Sequence, residues 1–278
     1  MVYLLLAIVC SALISVLMRC STEKADGGTG MLAMNYLMCT VLAVAYTKGN
    51  LLSDNMMGLS GTVCMGIFNG VLYLSGFVLL RHIIAKNGVV LASTFQKLGL
   101  LVPMVLSVCL FGEVPAVWQV VGFALALAAI VLVNADGEAS GAGKKAGLIL
   151  LLLICGGADA MSKVFEQLGD PKWSEHFLLI TFATAALLCF GLVIVRRERL
   201  GKWEILFGLV LGVPNYFAAR FLLRALEGVP AVVVYPTFSV GTILAVTAAG
   251  VCLFKERLSK RQWIAVAAIL VALILLNI

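Results

Sequence analysis

Lys97, Asp159 and Arg220 each interrupt an apolar run long enough to sit in lipid. An ionised side chain at mid-bilayer costs about 2.5–3.5 kcal/mol on insertion scales, so each needs a reason to be there. The chemistry open to them is recognition of a charged solute, proton relay, or mutual neutralisation. Polar residues recur around them at helical spacing: Asn69 and Tyr73, Thr94 and Gln96, Asn215 and Tyr216, Tyr235 and Thr237. Singly, such residues hold helices together; together they line a binding site for a small molecule. Two cations against one carboxylate make that site net positive, which suits a carboxylate-bearing or amino-acid-like solute, with the tyrosines offering flat amphipathic contact. The alternatives stay open. Lys97 and Asp159 can neutralise one another, Asp159 can pair with Lys163 one turn on, and Arg220 can snorkel to the headgroups. Lys97 is the deepest, so a cavity role suits it best.

Catalysis has no comparable constellation, and no catalytic residue is assigned. The sequence holds no P-loop, no HExxH and no Ser/His/Asp grouping. His82 and His176 fall at a loop and a span end, away from any buried relay. The eight cysteines lie in or beside apolar stretches without CxxC spacing, which argues against a metal or disulfide framework. No cofactor is expected, apart from coupling to protons or sodium, and no nucleic acid partner.

The elements that must position these residues are membrane helices. Of 278 residues, 62% are hydrophobic and 12% charged, with mean hydropathy +1.09, so the chain needs the lipid bilayer as its solvent. A span takes about 20 apolar residues. Ten fit, near residues 2–18, 31–47, 58–80, 88–111, 115–134, 146–166, 174–195, 203–224, 229–254 and 260–277. The fold expected is an all-α integral membrane protein. Its second half repeats its first at an offset of 143: Val108–Asn134 returns as Val251–Asn277 with 11 of 27 positions identical. Upstream, Tyr73 matches Tyr216, Arg81 matches Arg224 and Phe95 matches Phe238 at the same offset. Five spans per copy force the second copy to enter from the opposite side, giving two inverted five-helix repeats. Residues 1–134 form the first repeat, 135–147 (ADGEASGAGKKAG) a hinge-like connector and 148–278 the second repeat. The three charges break the symmetry, since Lys97, Asp159 and Arg220 face Val240, Val16 and Phe77 across the repeat.

Within each copy, spans three and four carry the irregularities. Gly66-x-x-x-Gly70 and Gly208-x-x-x-Gly212 allow close helix approach, and Pro103, Pro214 and Pro236 are expected to interrupt spans four, eight and nine. Beyond Lys260 and Arg261 at the start of span ten, spans five and ten lack ionisable residues and are rich in small ones, which suits scaffold helices or a homodimer contact. All four tryptophans lie near span ends, as an aromatic belt would place them. Glu113 and Glu256 each precede a helix whose dipole favours a carboxylate.

The motifs FGEVP at Phe111–Pro115 and FKERLS at Phe254–Ser259, set in ten spans with short loops, resemble the EamA-like branch of the drug/metabolite transporter (DMT) superfamily. The first departs from the family pattern with Val-Pro in place of Arg-Leu, and the second carries Lys255 where glycine is common. The resemblance covers essentially the whole chain. It implies a secondary transporter of the plasma membrane, working by alternating access, with a central cavity lined by spans one, three, four, six, eight and nine. Cation-carrying relatives place a carboxylate in the first helix of the unit; here only Asp159, in the first helix of the second unit, takes such a place. Loops after odd-numbered spans hold 14 Lys and Arg and those after even-numbered spans hold three. The positive-inside rule then puts both termini outside the cytoplasm, whereas the resemblance implies cytoplasmic termini. A lipid-linked flippase is the neighbouring reading. An integral-membrane enzyme lacks clustered acid/base groups, and a non-transporting scaffold would tolerate loss of Lys97.

Overall fold

The computed structural model describes residues 1–21, 28–47, 59–87, 95–96, 98–133, 145–198, 200–254 and 260–276. Among the described residues are ten α-helices: α1 (Val2–Ser21), α2 (Thr29–Tyr46), α3 (Leu59–Asn87), α4 (Leu101–Phe111), α5 (Val117–Val133), α6 (Lys145–Leu168), α7 (Ser174–Arg196), α8 (Lys202–Leu226), α9 (Ala231–Phe254) and α10 (Lys260–Leu276). No strand occurs among them. Seven helices are long and apolar enough to cross a membrane, and the apolar parts of α4, α5 and α10 are shorter. The clearest difference from the expected spans is at α4. A helix over 88–111 was expected, but a turn at Gly99 and Leu100 precedes it, with Gly99 N–H donating to Gln96 and Val102 N–H to Gly99. The prolines do not interrupt their helices either. Pro103 lies in the first turn of α4, where its missing N–H has no intrahelical partner to lose. Pro214 and Pro236 sit inside continuous α8 and α9, which packed neighbours can sustain.

The chain divides into two compact units, Met1–Leu74 with Val164–Glu227, and Ser75–Lys163 with Gly228–Ile278. The first unit contains α1, α2, residues 59–74 of α3, α7 and α8. Backbone-to-backbone packing shapes it. A Cβ on Gly66 would lie 3.3 Å from the Phe177 carbonyl, and one on Gly70 2.6 Å from that of Thr181, so α3 lies directly on α7. The second small-residue pair does the same for α8 on α2: a Cβ on Gly208 would meet the Met31 carbonyl at 2.5 Å, and one on Gly212 that of Asn35 at 2.6 Å. The two crossings correspond across the sequence repeat, with the glycine pairs one residue out of register at the offset of 143. Each has glycines four apart on a third helix, set against carbonyls four apart on a second helix.

In the second unit, α5 packs on α10, where Gly122 abuts Ala272, Leu275 and Leu276, and Ala126 and Ala272 are fully buried. The small faces of these helices are thus spent within one chain. Val117, Trp118, Trp263, Ile264 and Ile274 stay exposed on the same two helices. Trp118, Trp203 and Trp263 are exposed near helix starts, as a belt requires. Trp173 is the correction: it is buried at 2% exposure in the 3-10 turn before α7, with its ring edge-on to buried His176.

Candidate functional site

In the first unit, polar and aromatic side chains of α2, α3, α7 and α8 converge. α7 and α8 are joined by a loop of five residues, 197–201, so the start of one and the end of the other lie at the same level. That brings Glu175, in the first turn of α7, to Arg220: Nε donates to Oε1 at 2.7 Å. The Tyr216 hydroxyl, one turn earlier on α8, donates to the other carboxylate oxygen at 2.8 Å. The guanidinium lies 4.1 Å from the ring centre of Tyr46 at the end of α2, within cation–π range, and Tyr46 stacks on Tyr216. Arg220 therefore does not snorkel: Glu175, a carboxylate from the neighbouring helix that is not among the expected site residues, takes its charge. Glu175 also cancels one of the two cations on which the net-positive site was argued.

Deeper along the same helices, the Asn215 amide donates to Asn35 Oδ1 at 3.3 Å. Tyr36, Tyr73 and Phe182 form a three-ring cluster with centroids about 6 Å apart, which Phe182 extends to Tyr216. Asn69, on α3 one turn before Tyr73, is 2% exposed. Its Oδ1 has no hydrogen-bond partner among the described residues. A buried amide in that state is rare enough to suggest a role other than packing. Two substitutions separate these asparagines. Asn215→Leu strands the buried Asn35 and should cost about 1–3 kcal/mol in unfolding free energy. Asn69→Leu removes an unmatched group and should change stability by less than about 0.5 kcal/mol.

The second unit holds a separate polar centre built on the Phe-Gly-Glu motif. Gly112 ends α4 in the left-handed region at φ 67°, which glycine adopts at no steric cost, and the turn delivers Glu113 to two partners. Lys163 on α6 lies 2.8 Å from Oε1, and the Val232 N–H in the first turn of α9 donates to Oε2 at 3.1 Å. Lys163 also lies over the Phe111 ring. The carboxylate does favour the positive end of a helix dipole, as the sequence suggested, but the helix is α9, 119 residues away, and not α5, which Glu113 precedes. At α5 that place is taken by Gln119, whose side-chain oxygen accepts from Ala116 N–H at 3.0 Å. Although burial works against its charge, the hydrogen bonds from Lys163 and the first turn of α9 hold the Glu113 carboxyl below its ordinary range. A depressed folded-state value stabilises above the unfolded value and is lost as pH falls through the folded one. The difference in melting temperature between wild type and Glu113→Gln should therefore be full at neutral pH and shrink as pH drops below the usual carboxylate range.

The Asp159 side chain is exposed, and its carbonyl accepts from the Tyr235 hydroxyl at 2.7 Å. Tyr235 and Thr237 are buried on α9, and Gln96 is half-buried ahead of the Gly99 turn. Lys97 and Thr94 lie outside the described residues. A cleft of 140 Å³ is lined by Phe165, Glu166, Pro171, Ser174, Leu223 and Glu227. It is smaller than the roughly 300 Å³ at which organic-ligand pockets begin.

The model of the EamA-like transporter family matches this chain twice, over residues 1–135 and 146–278. The chain belongs to the EamA-like transporter family. Its membership, within the DMT superfamily, makes it a multi-pass membrane protein of a transporter family. An uncharacterised protein of Haemophilus influenzae is 26% identical over 276 residues, covering 95% of this chain and 93% of that one. A protein of known crystal structure shares the fold, with TM-score 0.79 at 15% identity over 99% of this chain and 96% of the other. Each EamA-like match contains one partner of each of the two close helix crossings in the first unit and one copy of the Phe-x-Glu motif, at Phe111–Glu113 and Phe254–Glu256.

Proposed function

We propose that this EamA-like protein is a secondary transporter that carries a small organic metabolite across the plasma membrane by alternating access. In this reading the ten helices act as two inverted five-helix halves, and the protein is not an enzyme. The observation that carries it is the Glu175–Arg220–Tyr216 group, which sets ionised side chains on helices whose outer faces are apolar, such as Leu187, Ile194 and Val195. Lipid-facing helices have no use for such groups, whereas a solute path does. The paired crossings of α3 on α7 and α8 on α2 support the inverted arrangement, which is how repeat-built transporters change access. Asn69, Tyr73, Asn215 and Tyr216 are the first candidates to touch the solute, and Asp159 is the candidate for coupling to protons or sodium. A homodimer would use the exposed faces of α5 and α10, because their small faces are occupied. A metabolite panel read by thermal shift on the purified protein tests the reading. A true ligand at a hundred times its Kd should stabilise the fold by about 2.7 kcal/mol. Silence across the panel, together with no uptake by reconstituted vesicles, would end it.

A further inference from the structure

The part of Arg220 that Glu175 leaves unused identifies a class of ligand. Nε is engaged by Glu175 and one face of the guanidinium by Tyr46, yet neither Nη donates to any described residue, and the side chain is 22% exposed. A guanidinium held along one edge and one face presents its other edge, two parallel N–H donors, in a fixed direction. That geometry matches the two oxygens of a carboxylate, which a lysine ammonium cannot match. The rings beside it, Tyr46, Tyr216 and Phe217, are packed against one another, so they hold the fork in place and offer a flat apolar surface next to it. The neighbouring cleft is not the seat, since Glu166 and Glu227 line it and would repel an anion.

We infer that the Nη edge of Arg220 binds the carboxylate of a small organic acid, with Glu175, Tyr46 and Tyr216 as positioning residues. This rests on the transporter reading above and gives its substrate class. Glu175 acts on affinity in two opposed ways: it aligns the fork and it offsets the positive charge.

The test uses full-length protein in nanodiscs, with phenylacetate and succinate as probes, each beside its neutral amide. At least one carboxylate should raise the melting temperature saturably, and its amide should bind about tenfold more weakly or not at all. Arg220→Lys keeps the charge but should still weaken binding about tenfold. Glu175→Gln should tighten carboxylate binding, since a repelling charge is gone while a side-chain oxygen can still accept from Nε. Equal binding of acid and amide, or no response to either acid, overturns the inference. So does Glu175→Gln binding that is unchanged or weaker, a result that stands even where Arg220 variants fail to fold. If neutral or cationic solutes stabilise the protein while both acids are silent, the substrate class falls and the transporter reading stands.

Discussion

Replacing Lys163 with alanine is expected to destabilise the protein by about 3–5 kcal/mol, because it strands a carboxylate inside the fold. Lys163 is 2% exposed and Glu113 15%, so little water is at hand to replace the lost ammonium. The backbone N–H groups in the first turn of α9 would remain as partners, but neutral donors do not balance a full charge. The reciprocal change, Glu113→Gln, keeps an acceptor for α9 but removes the negative charge 2.8 Å from the more deeply buried ammonium, and should cost a similar amount. Removing both charges together, as Glu113→Leu with Lys163→Met, should recover most of the loss, since apolar replacements of a buried pair are often neutral or better. Unfolding midpoints of the two single variants and the double variant in one detergent give the cycle. Additive losses in the double variant would mean that the two side chains stabilise the fold independently.

The second large effect is steric. Valine at Gly70 or Gly212 should prevent assembly of the first unit. A Cβ on Gly70 meets the Thr181 carbonyl and the Thr184 Cβ, each at 2.6 Å, and one on Gly212 meets the Asn35 carbonyl at 2.6 Å and is pressed against Met38. These are mostly main-chain atoms or atoms fixed to it, which no rotamer change can move. Overpacking of even compliant sites costs about 1–3 kcal/mol, and here helix separation must increase. Alanine at Gly61 or Gly191 is the control, because nothing lies within 4 Å of either Cβ. There, in a helix, alanine should be neutral or stabilising by about 0.5–1 kcal/mol. The amount of monodisperse protein after extraction distinguishes the two sets. Normal yield of both valine variants would show that these helices do not pack as closely as described.

These cases mark what can be read from the chain alone. The glycine pairs were legible, because close approach needs small residues at a spacing of four and the sequence repeats that spacing in the third helix of each copy. Helix positions were legible too: apolar length and flanking charge place α6, α7 and α8 to within two residues. The ionic contacts were not. Glu175 and Arg220 are 45 residues apart and Glu113 and Val232 are 119 apart. Periodicity along one helix says which face is polar but not which other helix meets it. One signal for the first pair is local: the five-residue connection between α7 and α8 makes them a hairpin, and folding the sequence there puts Glu175 opposite the turn that contains Arg220. For Glu113 no such local signal exists, since neither α6 nor α9 is its neighbour in sequence. Trp173 was misplaced for a related reason. Nearness to a span end suggested a belt residue, but the 3-10 turn that begins at Pro171 turns the indole inward.

The central claim is that solute crosses the membrane through this protein. Counterflow in proteoliposomes measures it most directly: vesicles loaded with a ligand that raises the melting temperature are diluted into a trace of the same ligand carrying a radiolabel. The account predicts transient accumulation of label that saturates with concentration, is absent from empty vesicles and falls at least about tenfold in Arg220→Lys. Tight binding of the ligand with no counterflow, in protein that folds and reconstitutes normally, would contradict it.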